Sequence, residues 1–144
     1  MYQRILIPTD GSEITAKAVQ AAIAMAKLCG ASLTTICVKE PFPYSAISEM
    51  QPVPPQEFYD AQERIAASRV KAVVDTALAA GVACSGFTVE ALHPWEAILD
   101  HAKQQNCDLV VMASHGRRGM AALLIGSETS RVLTHSPLPV LVIK

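Results

Sequence analysis

The clearest indication of the fold is the segment Ile5-Leu6-Ile7-Pro8-Thr9-Asp10-Gly11-Ser12. Its first four residues form a short apolar run, which is typical of a strand buried on both faces of a sheet. The Asp-Gly pair ends the strand, and Ser12 is a suitable N-cap for an Ala-rich helix that should reach Cys29, just before Gly30. A strand that passes through a tight turn into a helix is the basic unit of an α/β protein.

The same alternation continues to the end of the chain. We expect further strands at about 32–38, 83–91, 109–113 and 138–143, and further helices at about 57–80, from 94 onward, and at 127–135. This order predicts one doubly wound α/β domain over residues 1–144, with a parallel sheet and helices on both faces. In such folds ligands bind beyond the carboxyl ends of the strands.

The composition limits the class of protein. Of the 144 residues, 51% are hydrophobic, 5% aromatic and 17% charged, which excludes a disordered chain and indicates an aliphatic core. The formal net charge of -1 argues against nucleic-acid binding through a basic surface. It also argues against a polybasic segment that binds anionic membranes. No apolar stretch approaches the roughly 20 residues of a membrane helix, and the first apolar run is too short for a signal peptide, so we expect a cytoplasmic location.

Cysteine and histidine spacing gives no sign of a metal site. There is no C-x-x-C pair, and we expect buried, reduced thiols at all four cysteines: Cys29, Cys37, Cys84 and Cys107. Surface or capping roles are expected for three histidines on separate elements: His93, His101 and His135. For Trp95, packing or a hydrophobic staple is favoured over a place at the rim of a site or against a partner.

A glycine-bearing segment follows the fourth strand. It reads Ala113-Ser114-His115-Gly116-Arg117-Arg118-Gly119, and Gly126-Ser127-Glu128-Thr129 then opens a helix. Glycines let main-chain N–H groups approach a phosphate, and a helix N-terminus favours anions. An ordinary glycine-bearing turn before a capped helix explains the pattern equally well. No Gly-Lys-Ser/Thr follows, so the segment is not a P-loop.

Several side chains near these turns have two interpretations. Asp10 can accept from a ribose hydroxyl or hold Mg²⁺, or it can simply bond the backbone of its own turn. The hydroxyls of Ser127 and Thr129 can reach phosphate oxygens. Arg117 and Arg118 either screen a polyphosphate or, as we favour, form a solvated face. Catalysis by His115 is disfavoured because the sequence shows no Ser or Cys nucleophile together with an acidic residue that would orient the histidine.

The whole chain resembles the universal stress protein family. The resemblance is carried by four pieces: Arg4 to Ser12, Asp108 to Arg117, Leu124-Ile125-Gly126-Ser127, and Ser136-Pro137-Leu138-Pro139-Val140-Leu141-Val142-Ile143. It implies a five-stranded parallel sheet in the order 3-2-1-4-5, a cytoplasmic location, and homodimers joined through the last strands. The position of Leu138 to Ile143 at the end of a doubly wound order independently suggests an exposed edge strand that can pair with a second chain.

Members of this family that bind ATP carry Gly-x-x-Gly, nine residues, then Gly-Ser/Thr. Gly116 and Gly126-Ser127 match this pattern, whereas Ala113 replaces the first glycine. Glu128 stands where an uncharged residue is frequent, and its carboxylate would repel phosphates unless it points away. The resemblance implies an adenine-nucleotide site, with Mg²⁺ at Asp10 as an option, formed by the following residues: Pro8, Thr9, Asp10, Val38, Ala113, His115, Gly116, Arg117, Gly126, Ser127, Glu128 and Thr129.

Three functions follow as hypotheses. The leading one is a dimeric stress-response protein that binds ATP, or another adenine nucleotide, with at most slow hydrolysis. The second is a scaffold or chaperone-like dimer with a degenerate nucleotide site, which Ala113 and Glu128 favour; an increase in affinity on Ala113→Gly would argue against it. An enzyme is disfavoured, because the His-x-Gly-His of nucleotidylyl transferases is absent and no phospho-acceptor aspartate follows the third strand.

Overall fold

Five parallel strands and four helices make up the described part of the chain. The computed structural model describes residues 1–41, 56–117 and 124–144. The strands are β1 (Arg4–Pro8), β2 (Ser32–Lys39), β3 (Cys84–Glu90), β4 (Leu109–Ala113) and β5 (Val140–Ile143). The helices are α1 (Glu13–Cys29), α2 (Gln56–Ala79), α3 (Pro94–Gln104) and α4 (Ser127–His135). The sheet order is β3-β2-β1-β4-β5, which confirms the predicted doubly wound arrangement.

The central strand β1 is enclosed on every side. It pairs with β2 in the register Ile5 to Leu33, and with β4 in the register Ile5 to Leu109. Ile5, Leu6 and Ile7 have no exposed surface, as expected for an apolar strand flanked by two neighbours and covered on both faces.

Helices cover both faces of the sheet. On one face, α1 and α2 bury a cluster that includes Ile7, Ala22 and Val73. On the other face, α3 and α4 bury a second cluster that includes Leu6, Ile98 and Val132. Because successive strand residues point to opposite faces, this division also fixes which face each residue at the strand ends points to.

The boundaries of α1 follow the predicted chemistry. The Ser12 hydroxyl accepts from the backbone N–H of Thr15 at 3.4 Å, and Gly30 ends the helix in the left-handed conformation at φ 68°. At the other end of the chain, β5 begins at Val140, two residues later than predicted. The Ser136 hydroxyl bonds both the N–H and the C=O of Leu138, which holds that residue in a turn.

The prediction for His101 was wrong. Its side chain is buried, its Nε2 lies 3.3 Å from Thr34 Oγ1, and its ring meets Phe87 edge-on at 4.7 Å. His101 faces inward because it lies three and four residues from the buried Ile98 and Ala97 on one face of α3. His93 is the exposed N-cap residue of α3 and makes no side-chain capping bond, whereas exposed His135 stacks on Trp95 at 4.4 Å.

The prediction for the cysteines was correct in part. All four are free thiols, but only Cys37 and Cys107 are buried, while Cys29 and Cys84 are half-buried. Burial raises the pKa of Cys84 and of Cys107 to about 11, so these two thiols stay protonated at neutral pH. Within the described residues, no helix is long and apolar enough to cross a membrane.

Candidate functional site

The segment after β4 lies against the turn after β1. The backbone N–H of Arg117 donates to Asp10 Oδ2 at 2.7 Å, and the Arg117 side chain donates through Nε to the Asp10 carbonyl at 2.7 Å. Two pieces of sequence that are far apart in the chain are therefore joined at the carboxyl edge of the sheet. The sequence predicted that both segments lie at this edge, and the structure shows that they contact each other.

The Asp10 carboxylate is the centre of this junction. Its Oδ1 accepts from the Ser12 N–H at 2.9 Å and from the buried Thr15 hydroxyl at 2.7 Å. Burial acts to raise the pKa of Asp10, but the hydrogen bonds from Ser12, Thr15 and Arg117 outweigh it and hold that pKa below its usual value. Asp10 therefore bonds its own turn, as one of its two interpretations stated, and also the distant Arg117.

Gly116 allows this contact because it has no side chain. A Cβ built on Gly116 would lie 2.5 Å from Asp10 Oδ2, closer than any real contact of this kind. The glycine is thus required by the approach of the loop to the carboxylate, whether or not a ligand is present.

The second motif glycine, Gly126, brings the start of α4 back to the end of β4. Its N–H donates to the Ser114 carbonyl at 2.7 Å, and a Cβ on Gly126 would lie 3.1 Å from His115 Cα. Gly126 also accepts the first bond of the helix, from the N–H of Ser130 at 2.9 Å. The N–H groups of Ser127, Glu128 and Thr129 have no acceptors within the helix, which is the arrangement that favours anions at helix N-termini.

The hydroxyl groups of Ser127 and Thr129, both in the first turn of α4, differ in their exposure to solvent. Ser127 is exposed, whereas Thr129 is buried and its hydroxyl donates to the Ala113 carbonyl at 2.8 Å. Ala113 is itself buried and belongs to the cluster beneath α1, so its methyl group packs in the core. Ser127 therefore carries the exposed hydroxyl of this turn.

The Glu128 carboxylate is directed to the neighbouring helix. Its Oε2 accepts from the backbone N–H of Trp95, in the first turn of α3, at 2.9 Å. Its Oε1 lies 3.5 Å from Arg131 Nη1. Trp95 is half-buried against the α3–α4 cluster, in agreement with the packing role favoured for it.

Three further predicted residues lie at the ends of β1 and β2. Pro8 pairs in register with Ile36, so Val38 extends two residues further along the same edge. Leu6 and Ile36 belong to the cluster beneath α3 and α4, and the two-residue period points Pro8 and Val38 to that same face. Thr9 is buried, and its hydroxyl accepts from the Gly11 N–H at 3.2 Å.

His115 is half-buried, with its Nδ1 3.2 Å from the hydroxyl of Ser114. Ser114 is itself buried, which keeps that hydroxyl from acting as an exposed nucleophile. Arg118 and Gly119, the remaining residues of the predicted loop, lie outside the described residues.

Sequence reasoning missed two residues of the junction. Thr15 binds Asp10 directly, and the spacing Asp-x-Ser-x-x-Thr at the start of a helix is the signal that would have indicated it. Arg69 of α2 packs against the turn, since a Cβ on Gly11 would lie 2.9 Å from Arg69 Cγ. Nothing in the local sequence links Arg69 to Gly11, because the contact depends on how α2 lies across the sheet.

The described residues do not form a metal site by themselves. No group of three or more metal-ligating side chains converges within residues 1–41, 56–117 and 124–144. Asp10 Oδ1 accepts from Ser12 and Thr15, whereas Oδ2 accepts from Arg117 and retains capacity for one more bond. A single carboxylate with one open position does not by itself make a Mg²⁺ site held by the described residues.

Comparisons with known proteins agree on one family. The sequence profile described as "Universal stress protein family" matches residues 1–144. Universal stress protein MJ0531 of Methanocaldococcus jannaschii is 30% identical over 145 residues, which covers 100% of this chain and 83% of that protein.

Solved structures show the same fold. The structure of MJ0577 is similar with a TM-score of 0.85 and 26% identity, covering 100% of this chain and 96% of that one. The crystal structure of a universal stress protein in complex with cAMP is similar with a TM-score of 0.68 and 26% identity, covering 99% of this chain and 96% of that one.

Together, the fold and the site define a doubly wound α/β domain in which Gly116 lies against the turn after β1 and Gly126 against the end of β4. The chain belongs to the universal stress protein family, as its resemblance to that family predicted.

Proposed function

We propose that this protein binds an adenine nucleotide at the carboxyl edge of the sheet, with the phosphate at the first turn of α4. The observation that carries this proposal is the bond from Gly126 N–H to Ser114 O at 2.7 Å, which places the free N–H groups of α4 beside the end of β4. The exposed hydroxyl of Ser127 adds a donor at the same place.

Pro8 and Val38 form an aliphatic surface for the adenine, since they point to the face of the sheet that carries α4. Asp10 is placed for a ribose hydroxyl, because its Oδ2 accepts one hydrogen bond and retains capacity for a second. In support, a relative of 26% identity has been crystallised with cAMP. The spacing of Gly116 and Gly126 is that of family members that bind ATP, so ATP belongs to the proposed ligand class.

Binding without catalysis is the proposed activity. The hydroxyl of Ser114 beside His115 is buried, and Asp10 is engaged by Ser12, Thr15 and Arg117. Any Mg²⁺ would therefore arrive with the phosphates of a nucleotide. The remaining roles of the site are to orient the nucleotide through Asp10 and Ser127 and to hold its phosphate on backbone N–H groups.

We further propose that the protein is a cytoplasmic homodimer joined through β5 and acts in stress regulation by a change of partner contacts. Four free thiols fit a reducing compartment. Within the described residues, strand β5 lies at the edge of the sheet with β4 as its single partner, and its residues Val140–Ile143 are all apolar. Such an edge is a template for pairing with a second copy.

The dimer can be tested by removing an outward backbone donor of β5. The carbonyls of Pro139 and Ile143 accept from the N–H groups of Val110 and Ser114, so the alternate residue Val142 directs its N–H away from β4. Val142→Pro should leave the β4 ladder intact and give a folded monomer by sedimentation at tens of micromolar. If the wild-type protein is already a monomer at that concentration, the proposed dimer is wrong.

A scaffold with a degenerate nucleotide site remains the second candidate. One observation favours it: the Arg117 side chain already bonds the Asp10 carbonyl, so the chain itself fills part of the junction. If this alternative holds, Arg117→Ala changes the binding of a partner protein and leaves the affinity for nucleotides unchanged.

The first experiment is to look for bound nucleotide. Protein purified without added nucleotide is denatured and the released small molecules are identified by mass spectrometry, and AMP, cAMP and ATP are then tested by thermal shift. A ligand at about 100 times its Kd adds about 2.7 kcal/mol, which for a chain of this size raises the melting temperature by roughly 5–10 °C. The proposal would be refuted if no nucleotide is released and none of the three nucleotides shifts the melting temperature.

A further inference from the structure

We propose that Glu128 makes this site select nucleotides of low phosphate charge, AMP and cyclic AMP, over ATP. The inference rests on the proposed nucleotide site. Glu128 is the second residue of α4, within the turn whose free N–H groups are assigned to the phosphate. A carboxylate there sets a fixed negative charge beside the position of an incoming anion.

The carboxylate is held in place by α3. It accepts from the Trp95 N–H at 2.9 Å, and this donor lies in the first turn of a helix, where no intrahelical acceptor exists. The N-cap residue His93 supplies no side-chain bond that could replace it. If Glu128 swung away from an incoming polyphosphate, the Trp95 N–H would lose its acceptor, so movement away from a ligand is opposed.

The charge of Glu128 is only partly balanced. Arg131 lies one turn further from the helix N-terminus, its contact is 3.5 Å long, and its side chain is 52% exposed. Exposed pairs of this kind interact weakly. The Arg117 side chain is engaged elsewhere, since its Nε donates to the Asp10 carbonyl. Of the Glu128–Arg131 pair, Glu128 is the member that belongs to the first turn of α4.

The consequence depends on how much charge the ligand carries. Near neutral pH, cyclic AMP has about one negative charge, AMP about two and free ATP about four. Repulsion by a nearby carboxylate grows with each added charge, while AMP and ATP present the same adenine and the same two ribose hydroxyls. Cyclic AMP keeps the adenine and the 2′-hydroxyl. The Glu128 carboxylate therefore costs ATP more affinity than it costs AMP or cyclic AMP.

The test compares affinities in Mg²⁺-free, low-salt buffer for the wild type and for Glu128→Gln. Glutamine keeps a side-chain oxygen for the Trp95 N–H and removes only the charge. We expect the ratio Kd(ATP)/Kd(AMP) to fall by about threefold to tenfold in the variant, and the difference to shrink in high salt. Urea unfolding of the variant checks that the fold is retained.

The matched control is Asp75→Asn, which makes the same change in net charge at the far end of α2 and loses only an exposed pair with Lys71. It should leave the ratio at the wild-type value. If all three nucleotides bind but Glu128→Gln leaves the ratio unchanged, or if Asp75→Asn shifts it equally, this inference is wrong and the proposed function stands. If no nucleotide binds to any of the three proteins, the proposed function fails, and the inference fails with it.

Discussion

The carboxylate of Glu128 accepts a hydrogen bond from the backbone N–H of Trp95 at 2.9 Å, so the first turn of α4 caps the first turn of α3. The two helix N-termini are thereby linked at the edge of the sheet where the ligand is proposed to bind. An acidic residue at the start of a helix usually serves its own helix; here it also serves the neighbouring one.

This link predicts a graded loss of stability. Glu128→Ala removes the acceptor of the Trp95 N–H and should lower the free energy of unfolding by about 1 kcal/mol, the usual cost of a lost cap. Glu128→Gln keeps the acceptor and should cost less. Urea unfolding, followed by the fluorescence of Trp95, the only tryptophan in the sequence, measures both. Equal stability of the Ala variant and the wild type, within about 0.5 kcal/mol, would show that the bond does not contribute.

The contact between Gly116 and Asp10 predicts strong coupling between these positions. In the wild-type background, Gly116→Ala places a Cβ 2.5 Å from Asp10 Oδ2 and must displace the loop or the carboxylate. We expect a loss of about 1–3 kcal/mol. With Asp10→Ala already present, the same substitution has room and should cost much less. A double-mutant cycle from urea unfolding measures the difference; additive effects would contradict the contact.

His101 predicts a loss of stability in mild acid. Burial lowers the pKa of His101 below its unfolded value of 6.5, so the unfolded chain takes up this proton first. The contribution of neutral His101 is complete above pH 6.5 and is lost as the pH falls below that value toward the folded-state pKa.

Urea unfolding between pH 7.5 and pH 5 is the measurement, and substitution by an apolar residue, His101→Leu, should flatten the profile. The exposed His93 serves as the control, because His93→Gln should leave the profile unchanged. A profile for His101→Leu that matches the wild type would contradict the prediction. The lowered pKa of Asp10 acts in a separate window, since its contribution is lost only below about pH 4.

Substitution of Ala113 by glycine is expected to change the free energy of unfolding rather than the affinity for a nucleotide. Its methyl group packs in the cluster beneath α1, so it does not stand between the backbone and a nucleotide. Ala113→Gly should lower the free energy of unfolding by about 1–2 kcal/mol, through the lost buried methyl group and the flexibility of glycine. Its affinity for AMP should stay close to the wild-type value. A clear gain in affinity would instead mean that the methyl group obstructs the ligand.

The sequence predicted the fold closely because each strand and helix carries its own local signals. The apolar run at Ile5, the cap at Ser12 and the stop at Gly30 act within a few residues, and all three are confirmed. The spacing of His101 from Ile98 and Ala97 puts it on the buried face of α3, but a polar ring is buried there only because Thr34 and Phe87 of other strands contact it. Those two contacts are what the sequence alone did not provide.

The glycine spacing and the end of the first strand pointed to one edge of the sheet, and the structure brings Gly116 to Asp10 and Gly126 to the end of β4 at that edge. That a nucleotide binds there stays a prediction. The partners of Glu128 and Thr129 were not predictable, because they depend on the approach of α3 and on the turn geometry after β4. These contacts leave Ser127 as the exposed hydroxyl of the α4 first turn.

Calorimetric titration of AMP into the wild type, Ser127→Ala and Ser130→Ala tests whether the first turn of α4 holds the phosphate of a nucleotide. Ser127 and Ser130 are both exposed on α4, but only Ser127 lies in its first turn. The account predicts saturable binding of one AMP per chain, a loss of about tenfold or more in Ser127→Ala, as for a lost bond to a charged group, and no change in Ser130→Ala. Absence of binding to the wild type, or equal affinities in all three proteins, would contradict it.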